Sequence, residues 1–401
     1  MRKRAFTALI LCLLTTGCWD KVELEDRGFV VSIGLDKFQA QSGRLTLTGA
    51  EQDNQYTVTA VMPNGMDIKE NAVSDKTKSV KSADSATVSG ALRLIDMGSS
   101  QKLYLKQAKM LLWSESLLQD EKLFQQALDA MERSQDISRK MFLIASKEPA
   151  WKVLSAPLGG EPMLGVFMEN FYKNNGGGGS ILFRQILQKT ISDLRSSGCT
   201  VMPVLEIKDL DHPEKKDAST DKAPEDTEAS RIMLTGCAVI RNYTLAGYLN
   251  AIETRGYEWI GGHCRDAEIS LPRAEEQWPM RVIESGAKFF FSEEGGALRC
   301  DVEIHVTGDL DEHHFTGASV SLDRMQVYAA EFETAIAGEI TRTADILQKQ
   351  WGADAYHFKE SLRKKNSNLF QRYGEDWESS YRSMKIIPRV RVELVSAGSV
   401  R

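Results

Sequence analysis

Residues 110–145, MLLWSESLLQDEKLFQQALDAMERSQDISRKMFLIA, decide the fold of the first half of the chain. Met110–Trp113 and Met141–Ala145 are short apolar runs, a pattern typical of strands in a buried sheet. Between them, apolar residues recur every three or four positions through Leu117–Met131, which predicts a helix with one buried face. Strand, helix and strand in this order form a β-α-β unit, so the sequence predicts a mixed α/β region.

The segments on either side extend this region. Upstream, Tyr56, Val58 and Ala60 alternate with threonines, as a half-buried strand requires, and a turn follows at 62–65. Downstream, a Gly-rich connection leads into a predicted helix whose apolar positions are Leu182, Ile186, Leu187, Ile191 and Leu194.

The C-terminal part has a different pattern. Met280–Phe291 and Ala297–Val306 predict a long hairpin around a turn at Glu293–Gly296. Apolar residues repeat every three or four positions from Met325 to Trp351, which predicts one long helix whose apolar face lies on that sheet. The predicted fold class is therefore α+β: several mixed α/β domains, the last of them a largely antiparallel sheet packed on one long helix.

An acidic segment separates the two parts. Residues 206–228 contain nine acids, four lysines, two prolines and almost no apolar residues. Such a segment has too little apolar surface to offset the entropy lost on folding. We predict a mobile linker there, and strands at 231–240 and 243–249 in the domain that follows it.

A single hydrophobic core seldom supports a chain of 401 residues, so two or three domains are expected. The predicted order is a lipoprotein signal peptide at 1–17, a lipid-proximal tether at 18–28, an N-terminal α/β region of one or two subdomains at 29–205, the acidic linker or loop at 206–228 and a C-terminal α/β domain at 229–401.

The N-terminus has the form of a bacterial signal peptide. Arg2, Lys3 and Arg4 precede an apolar run from Ala5 to Leu14. A run of about ten residues is about half of what a helix needs to cross roughly 30 Å of hydrocarbon, so a permanent transmembrane anchor is not predicted.

The residues that follow, Leu14-Thr15-Thr16-Gly17-Cys18, look like a lipobox. We predict cleavage between Gly17 and Cys18 and attachment of diacylglycerol to the Cys18 thiol. Thr15 departs from the Leu or Val that is common at its position. Two acyl chains give stable attachment, because each buried CH₂ contributes about 0.8 kcal/mol. The alternative is an ordinary secretory signal with a chance cysteine.

Charge and cysteine content restrict the partners of the mature protein. Loss of the three N-terminal cations takes the formal net charge from -6 to about -9, and such a surface is repelled by nucleic acid and by anionic lipid. The mature cysteines beyond Cys18 are even in number, which permits disulfides. Apolar, strand-like surroundings at Cys237 and Cys300 favour buried thiols instead. The other two are Cys199 and Cys264.

The sequence after the lipobox resembles a known family. Cys18 is followed by Trp19-Asp20, then by Glu23-Leu24, then by an apolar strand that closes in Ile33-Gly34-Leu35-Asp36. This order resembles the C-subunit lipoproteins of spore nutrient-germinant receptors, the Ger(x)C family. The likeness continues along the chain in the family's order, at Gly90–Arg93, Met110–Trp113, Met168–Asn170, Leu234–Ile240, Leu245–Leu249 and Arg389–Leu394.

The resemblance implies a subunit of a receptor that triggers spore germination. It implies two integral-membrane partners, one with large soluble domains and one resembling a permease. It also implies a location on the outer face of the cytoplasmic membrane, which is the inner membrane of the spore. Trp19, Asp20, Glu23 and Leu24 are the predicted juxtamembrane contact, and the alternative is a disordered tether. The chain departs from the family pattern after Asp354, where Ala355-Tyr356-His357-Phe358 replaces a Gly- and Phe-rich stretch.

No motif in the sequence predicts catalysis. The glycines at 176–179 lack the Gly-Lys-Ser/Thr of a phosphate loop. The run from Asp309 to His314 is interpreted as a solvated loop rather than a metal site. His263-Cys264 are sequence neighbours without a second supporting histidine, and the paired acids at 275–276 and 293–294 read as turns. We therefore predict no enzyme activity, no cofactor and no metal.

Two functions from different classes remain. The first is a lipid-anchored accessory subunit that acts by protein-protein assembly. The second is an extracytoplasmic solute-binding lipoprotein, whose usual form is two doubly wound lobes with ligand at the strand ends. The predicted hairpin and long helix favour the first, and the sequence shows no obvious small-molecule pocket. A ligand-dependent rise in melting temperature would favour the second.

Overall fold

A computed structural model describes residues 26–64, 78–156, 161, 163–174, 183–208, 231–272, 277–310 and 322–396. The strands are β1 (Arg27–Phe29), β2 (Ser32–Lys37), β3 (Tyr56–Pro63), β4 (Lys78–Ser85), β5 (Lys102–Tyr104), β6 (Met110–Ser114), β7 (Phe142–Ser146), β8 (Cys199–Lys208), β9 (Arg231–Arg241), β10 (Thr244–Asn250), β11 (Glu268–Pro272), β12 (Gln277–Glu294), β13 (Ala297–Leu310) and β14 (Lys385–Ser396). The helices are α1 (Val88–Met97), α2 (Glu115–Leu118), α3 (Glu121–Arg133), α4 (Ala150–Ser155), α5 (Leu164–Asn174), α6 (Leu187–Ser197), α7 (Ala251–Gly261), α8 (Leu322–Asp345), α9 (Phe358–Lys365), α10 (Ser367–Tyr373) and α11 (Trp377–Ser383).

The first sheet has eight strands in the order β10-β9-β8-β7-β6-β2-β3-β4. Its centre, β2, β6, β7 and β8, is parallel, and the pairs β3–β4 and β9–β10 add antiparallel strands at the two ends. Every residue of β6 and β7 is buried, as expected for parallel strands covered on both faces. Helices α2 and α3 connect them, so the predicted β-α-β unit is confirmed. The single helix predicted at Leu117–Met131 is divided in two, because the first helix ends at Leu118 and Asp120 caps the next.

Helix α3 buries the apolar face that its sequence predicts. Asp120 caps its first turn, because the carboxylate accepts a hydrogen bond from the Leu123 amide at 3.1 Å. Phe124 packs edge-on against Trp113 of β6, with ring centroids 4.9 Å apart. The buried positions of the helix are Leu123, Phe124, Ala127, Leu128 and Met131.

The motif Ile33-Gly34-Leu35-Asp36 holds helix α4 against the first sheet. Asp36 is 3% exposed, and its carboxylate accepts hydrogen bonds from the amides of Ala150 at 2.6 Å and Trp151 at 3.1 Å. A Cβ atom on Gly34 would lie 2.7 Å from Leu154, so only glycine leaves room for the helix. The motif that carries the family resemblance is therefore a helix-docking site.

The second sheet has four strands in the order β11-β12-β13-β14. Strands β11, β12 and β13 are antiparallel, and β14 runs parallel to β13, so the predicted largely antiparallel sheet is confirmed. Gly295 and Gly296 form the two-residue turn of the predicted hairpin, and both have positive φ. That backbone matches the right-handed twist of the flanking strands.

The long helix predicted from Met325 to Trp351 is also confirmed. Helix α8 continues into a π-helical segment at Ile346–Gln350. The residues that it buries are Tyr328, Phe332, Ile336, Ile340, Ala344 and Leu347. Glu333 accepts a hydrogen bond from the Val392 amide of β14 at 3.0 Å, so the helix satisfies part of an otherwise open sheet edge.

Strands β8, β9 and β10 serve both cores. Val201 and Val239 face the core of the second sheet, whereas Met202 and Ile240 face the core beneath the first. The sequence placed β9 and β10 in a C-terminal domain beginning at 229, but both are hydrogen-bonded into the first sheet. β8 also extends to residue 208, inside the predicted linker. The boundary at 206–228 does not separate the two sheets, and the division of the chain into domains stays a prediction.

Within the described ranges, no helix is both long and apolar enough to cross a bilayer.

We predict that Gly247→Ala destabilises the protein. A Cβ atom at this position of β10 would lie 2.3 Å from Cζ2 of Trp351, so the indole must move out of its packed position. The expected loss in the free energy of unfolding is about 1–3 kcal/mol, measured by urea denaturation. The matched control is Gly286→Ala in β12, where no atom lies within 4 Å of the new methyl. Equal unfolding midpoints for the two variants would show that Trp351 is not fixed against β10.

Candidate functional site

The predicted lipid and juxtamembrane residues lie outside the residues that the structure describes. These are Gly17, Cys18, Trp19, Asp20, Glu23 and Leu24, and their roles stay predictions. The glycines at 176–179, the acids at 275–276 and the histidines at 313–314 also lie outside it.

The described cysteines are not nucleophiles. Cys199, Cys237, Cys264 and Cys300 are all buried free thiols, which confirms the interpretation of Cys237 and Cys300. Burial raises the pKa of each thiol, that of Cys237 to about 12, so these thiols stay protonated at neutral pH. Cys264 is fully buried whereas its neighbour His263 is exposed, so the two do not form a reactive pair.

A buried polar cluster joins the two halves of the chain. Asp193 of α6 accepts hydrogen bonds from Lys189 at 2.7 Å, and from Gln185 and Thr200 at 3.2 Å each. Its other carboxylate oxygen lies 3.5 Å from Nε2 of His357, which directly precedes α9. This contact connects a helix of the first sheet to the helices of the second.

His357 and Ser197 do not form a catalytic site with Asp193. The Ser197 hydroxyl lies 2.8 Å from Nδ1 of His357, while Nε2 faces Asp193, the reverse of the arrangement in a hydrolytic triad. Ser197 also interacts with the backbone of Asp193 and Cys199. Burial lowers the pKa of His357, against the opposing effect of three nearby carboxylates. The cluster is a structural contact between the two halves.

Asp354 organises the segment after it. Its carboxylate, 4% exposed, accepts hydrogen bonds from the amides of Phe358 at 2.9 Å and Lys359 at 3.0 Å, and from the indole of Trp377 at 3.1 Å. Tyr356 stacks on Tyr257 of α7 with centroids 5.4 Å apart. Residues 355–358, where the chain departs from the family pattern, therefore contribute aromatic packing.

A cavity of about 420 Å³ with polar side chains in its lining opens beside the polar cluster around Asp193. One wall comes from the segment before α6 and its first turn, and the other from α7 and the loop after it. The lining residues are Phe183, Arg184, Gln185, Lys189, Tyr257, Glu258, His263 and Arg265. The sequence indicated no small-molecule pocket; it missed this one because the two walls are separated by some seventy residues, roughly the span from Lys189 to Glu258.

Glu258 is the unusual group in this cavity. It is 4% exposed, and no described residue donates a hydrogen bond to its carboxylate. Burial raises the pKa of Glu258 to about 7, while the positive charge of Lys189 acts in the opposite direction. Buried carboxylates with such a pKa are concentrated at functional sites, so Glu258 marks the cavity as a candidate binding site.

Two other depressions, of about 440 and 380 Å³, lie over α3 and α6. Both are lined by Glu132 and Arg195, which form a two-pronged ion pair at 2.9 and 2.6 Å. Because these two charges are already paired with each other, they are not available to a ligand. In the described ranges, no cluster of His, Cys, Asp and Glu could hold a metal ion.

The outer face of the second sheet is exposed and carries apolar residues among charges. Phe290 of β12 is 49% exposed and Ile387 of β14 is 36% exposed, and both pair in register with Asp301 of β13. Around them, Asp301 forms ion pairs with Arg299 at 2.8 Å and Arg389 at 2.9 Å. Mixed faces of this kind are typical of protein-protein contact surfaces.

Fold and site together define an α+β protein with two large sheets and a small two-stranded one. It has a candidate binding cavity and, in its described part, no metal centre or activated nucleophile. Two family models match it: "Spore germination protein N-terminal domain" over residues 20–207, and "Spore germination B3/ GerAC like, C-terminal" over residues 235–398. The chain belongs to the Ger(x)C family of spore germination proteins.

Relatives in Bacillus subtilis (strain 168) agree with this assignment. The putative spore germination protein YfkR is 21% identical, covering 96% of this chain and 94% of that protein. The spore germination protein YndF is 22% identical, covering 100% and 98%, and spore germination protein A3 is 20% identical, covering 78% and 74%. The crystal structure of the GerBC protein shares the fold, with a TM-score of 0.56 at 14% identity over 94% of this chain and 100% of that chain.

We predict that Glu258→Gln removes a pH-dependent loss of stability. The folded protein holds the Glu258 proton more tightly than the unfolded chain, whose carboxyl has an ordinary pKa of 4.5. The contribution of Glu258 to stability is therefore fully present below pH 4.5 and is lost as the pH rises towards about 7, by about 3 kcal/mol in all.

Urea denaturation of both proteins between about pH 5 and pH 8 measures this difference. The stability of Glu258→Gln relative to wild type should grow with pH and level off above about pH 7. Glu268→Gln, at an exposed position of β11, is the control and should keep the wild-type pH profile. Parallel profiles for wild type and Glu258→Gln would contradict the raised pKa.

Proposed function

We propose that this protein is a lipid-anchored accessory subunit of a nutrient germinant receptor, and that it acts as a scaffold at the membrane surface. The observation that carries the proposal is the order of the two family models, which begin at residue 20, directly after the lipobox cysteine, and continue to residue 398. The lipobox supplies the membrane attachment, and the two-sheet body supplies the assembly surface.

The short spacer between Cys18 and the first strand supports a position of the folded part close to the membrane. β1 begins at Arg27, nine residues after Cys18. A chain of nine residues spans at most about 30 Å when fully extended. A lipid on Cys18 would therefore keep β1, which pairs with β5 in a small two-stranded sheet, within about that distance of the bilayer. Confinement to the membrane surface raises the effective concentration near membrane-embedded partners, so modest affinities suffice for assembly.

The exposed face around Phe290 and Ile387 is the surface that best suits such partners. It combines half-exposed apolar side chains with the ion pairs of Asp301, and no described element covers it. The partners that we propose are the two integral-membrane subunits implied by the family resemblance. The location that we propose is the outer face of the inner spore membrane.

The solute-binding alternative receives no support from the architecture of the second half. A doubly wound lobe needs a parallel sheet with helices on both faces, whereas β11, β12 and β13 are antiparallel and one face of their sheet is exposed. A ligand-dependent rise in melting temperature would not by itself restore this alternative, because an accessory subunit can also bind a ligand in the cavity at Glu258, and the second half lacks a doubly wound lobe.

We predict that Cys18→Ser releases the protein from the spore membrane and weakens nutrient-triggered germination. A serine hydroxyl cannot carry the thioether-linked lipid, and the remaining signal run is too short to span the bilayer. Membrane fractionation with immunoblotting, together with the loss of optical density after addition of nutrient, measures both effects.

The matched control is Cys12→Ser, because Cys12 lies in the apolar run that cleavage would remove. It should leave membrane retention and germination unchanged. Retention of Cys18→Ser at wild-type levels would refute lipid anchoring. Release of the protein with an unchanged response to every nutrient tested would refute the receptor role.

A further inference from the structure

We propose that the cavity beside α7 binds a small zwitterion of amino-acid size, with its ammonium group at Glu258 and its carboxylate at Arg184 and Arg265. This inference goes beyond the scaffold function and does not depend on it. It rests on the residues that line the cavity. The floor is the buried carboxylate of Glu258, the walls are the rings of Phe183 and Tyr257, and the mouth carries the exposed cations Arg184 and Arg265.

The floor requires a positive partner. The Glu258 side chain is 4% exposed and receives no hydrogen bond from any described residue. A buried carboxylate without a donor is costly unless a cation or proton neutralises it. Lys189 is the nearest cation of the protein that influences it, but its ammonium is bound to Asp193 at 2.7 Å. A ligand ammonium would supply the missing donors.

The walls favour the same group. Phe183 and Tyr257 meet edge to face, with ring centroids 5.9 Å apart, and both line the cavity. Aromatic faces attract an ammonium group through the ring quadrupole and also accommodate apolar carbon atoms. A small organic ammonium compound therefore suits the walls better than a hydrated metal ion does.

The mouth selects for a second, negative group. Arg184 and Arg265 are exposed and line the cavity. Arg184 stacks on the ring of Phe142 at 5.1 Å, which leaves its N–H groups available. Among the described residues, Arg265 has no hydrogen-bond or ion-pair partner. Guanidinium groups bind carboxylates through two parallel hydrogen bonds, so these arginines match the carboxylate of a zwitterion.

Ligands with one charge fit less well. A simple anion would meet the Glu258 carboxylate, and a simple cation would meet two arginines at the mouth. The volume of about 420 Å³ lies near the small end of the range for ligand sites, which restricts the ligand to a small molecule. A free amino acid has an ammonium group for Glu258, carbon atoms for the aromatic walls and a carboxylate for the arginines at the mouth.

The experiment uses the full chain purified in detergent. Its melting temperature is measured with and without an equimolar mixture of the twenty standard amino acids, and each amino acid is then titrated singly by calorimetry. We expect the mixture to raise the melting temperature of the wild-type protein. Glu258→Gln should weaken binding of the active amino acid by about tenfold or more, and Arg265→Gln should do the same.

Glu268→Gln, an exposed substitution outside the cavity, should bind like wild type. Two analogues of the active amino acid, the amine without its carboxylate and the acid without its amine, should each bind about tenfold or more weakly than the parent. Because Arg265 is exposed, its substitution tests the site even where Glu258→Gln alters folding.

Three results would overturn the proposal: no shift with any amino acid, unchanged affinity in both cavity variants, or equal affinity for the parent and either analogue. None of these measurements depends on the lipid or on germination. Failure of the zwitterion site can therefore be distinguished from failure of the scaffold function, which the Cys18→Ser spores test.

Discussion

The rest of the structure depends on two neighbouring strands, β8 and β9, that are buried on both faces. In both strands, successive side chains alternate between the core of the first sheet and the core of the second. Val239 and Ile240 are neighbours in sequence, yet they belong to different cores. Neither face of these strands can be exposed without losing buried apolar surface, so the two cores are expected to form and unfold together.

Buried carboxylates then fix the orientation of the helices around this common sheet. Asp36 holds α4, Asp354 holds α9 and the indole of Trp377, and Asp193 connects α6 to His357. Apolar packing tolerates small shifts, whereas a buried carboxylate that must accept several hydrogen bonds permits one arrangement. The three acids therefore define geometry rather than chemistry, which agrees with the lack of an activated nucleophile among the described residues.

Much of this arrangement follows from local patterns that the sequence displays. The β-α-β unit around α3, the hairpin at Gly295-Gly296 and the apolar stripe of α8 can each be predicted from the spacing of apolar residues within a short segment. The pairing of β9 with β8 was not predicted, because the acidic segment between them was interpreted as a domain boundary. A better signal was present in Cys237-Ala238-Val239-Ile240: an uninterrupted apolar run indicates a strand covered on both faces, which only the shared sheet provides. The cavity had no such signal, since Glu258 occupies an ordinary helical position and becomes unusual only through burial.

The cavity shares residues with the polar cluster around Asp193 that joins the two halves of the chain. The proposed binding site is therefore connected to both halves. Lys189 lines the cavity and also donates its hydrogen bond to Asp193, while Gln185 lines the cavity and bonds the same carboxylate. Asp193 in turn faces His357 of the second half. A ligand that neutralises Glu258 removes the competing attraction on Lys189 and leaves its ammonium to Asp193. Because the Lys189 ammonium acts on both Glu258 and His357, ligand binding would change the balance of charges at the contact between the halves.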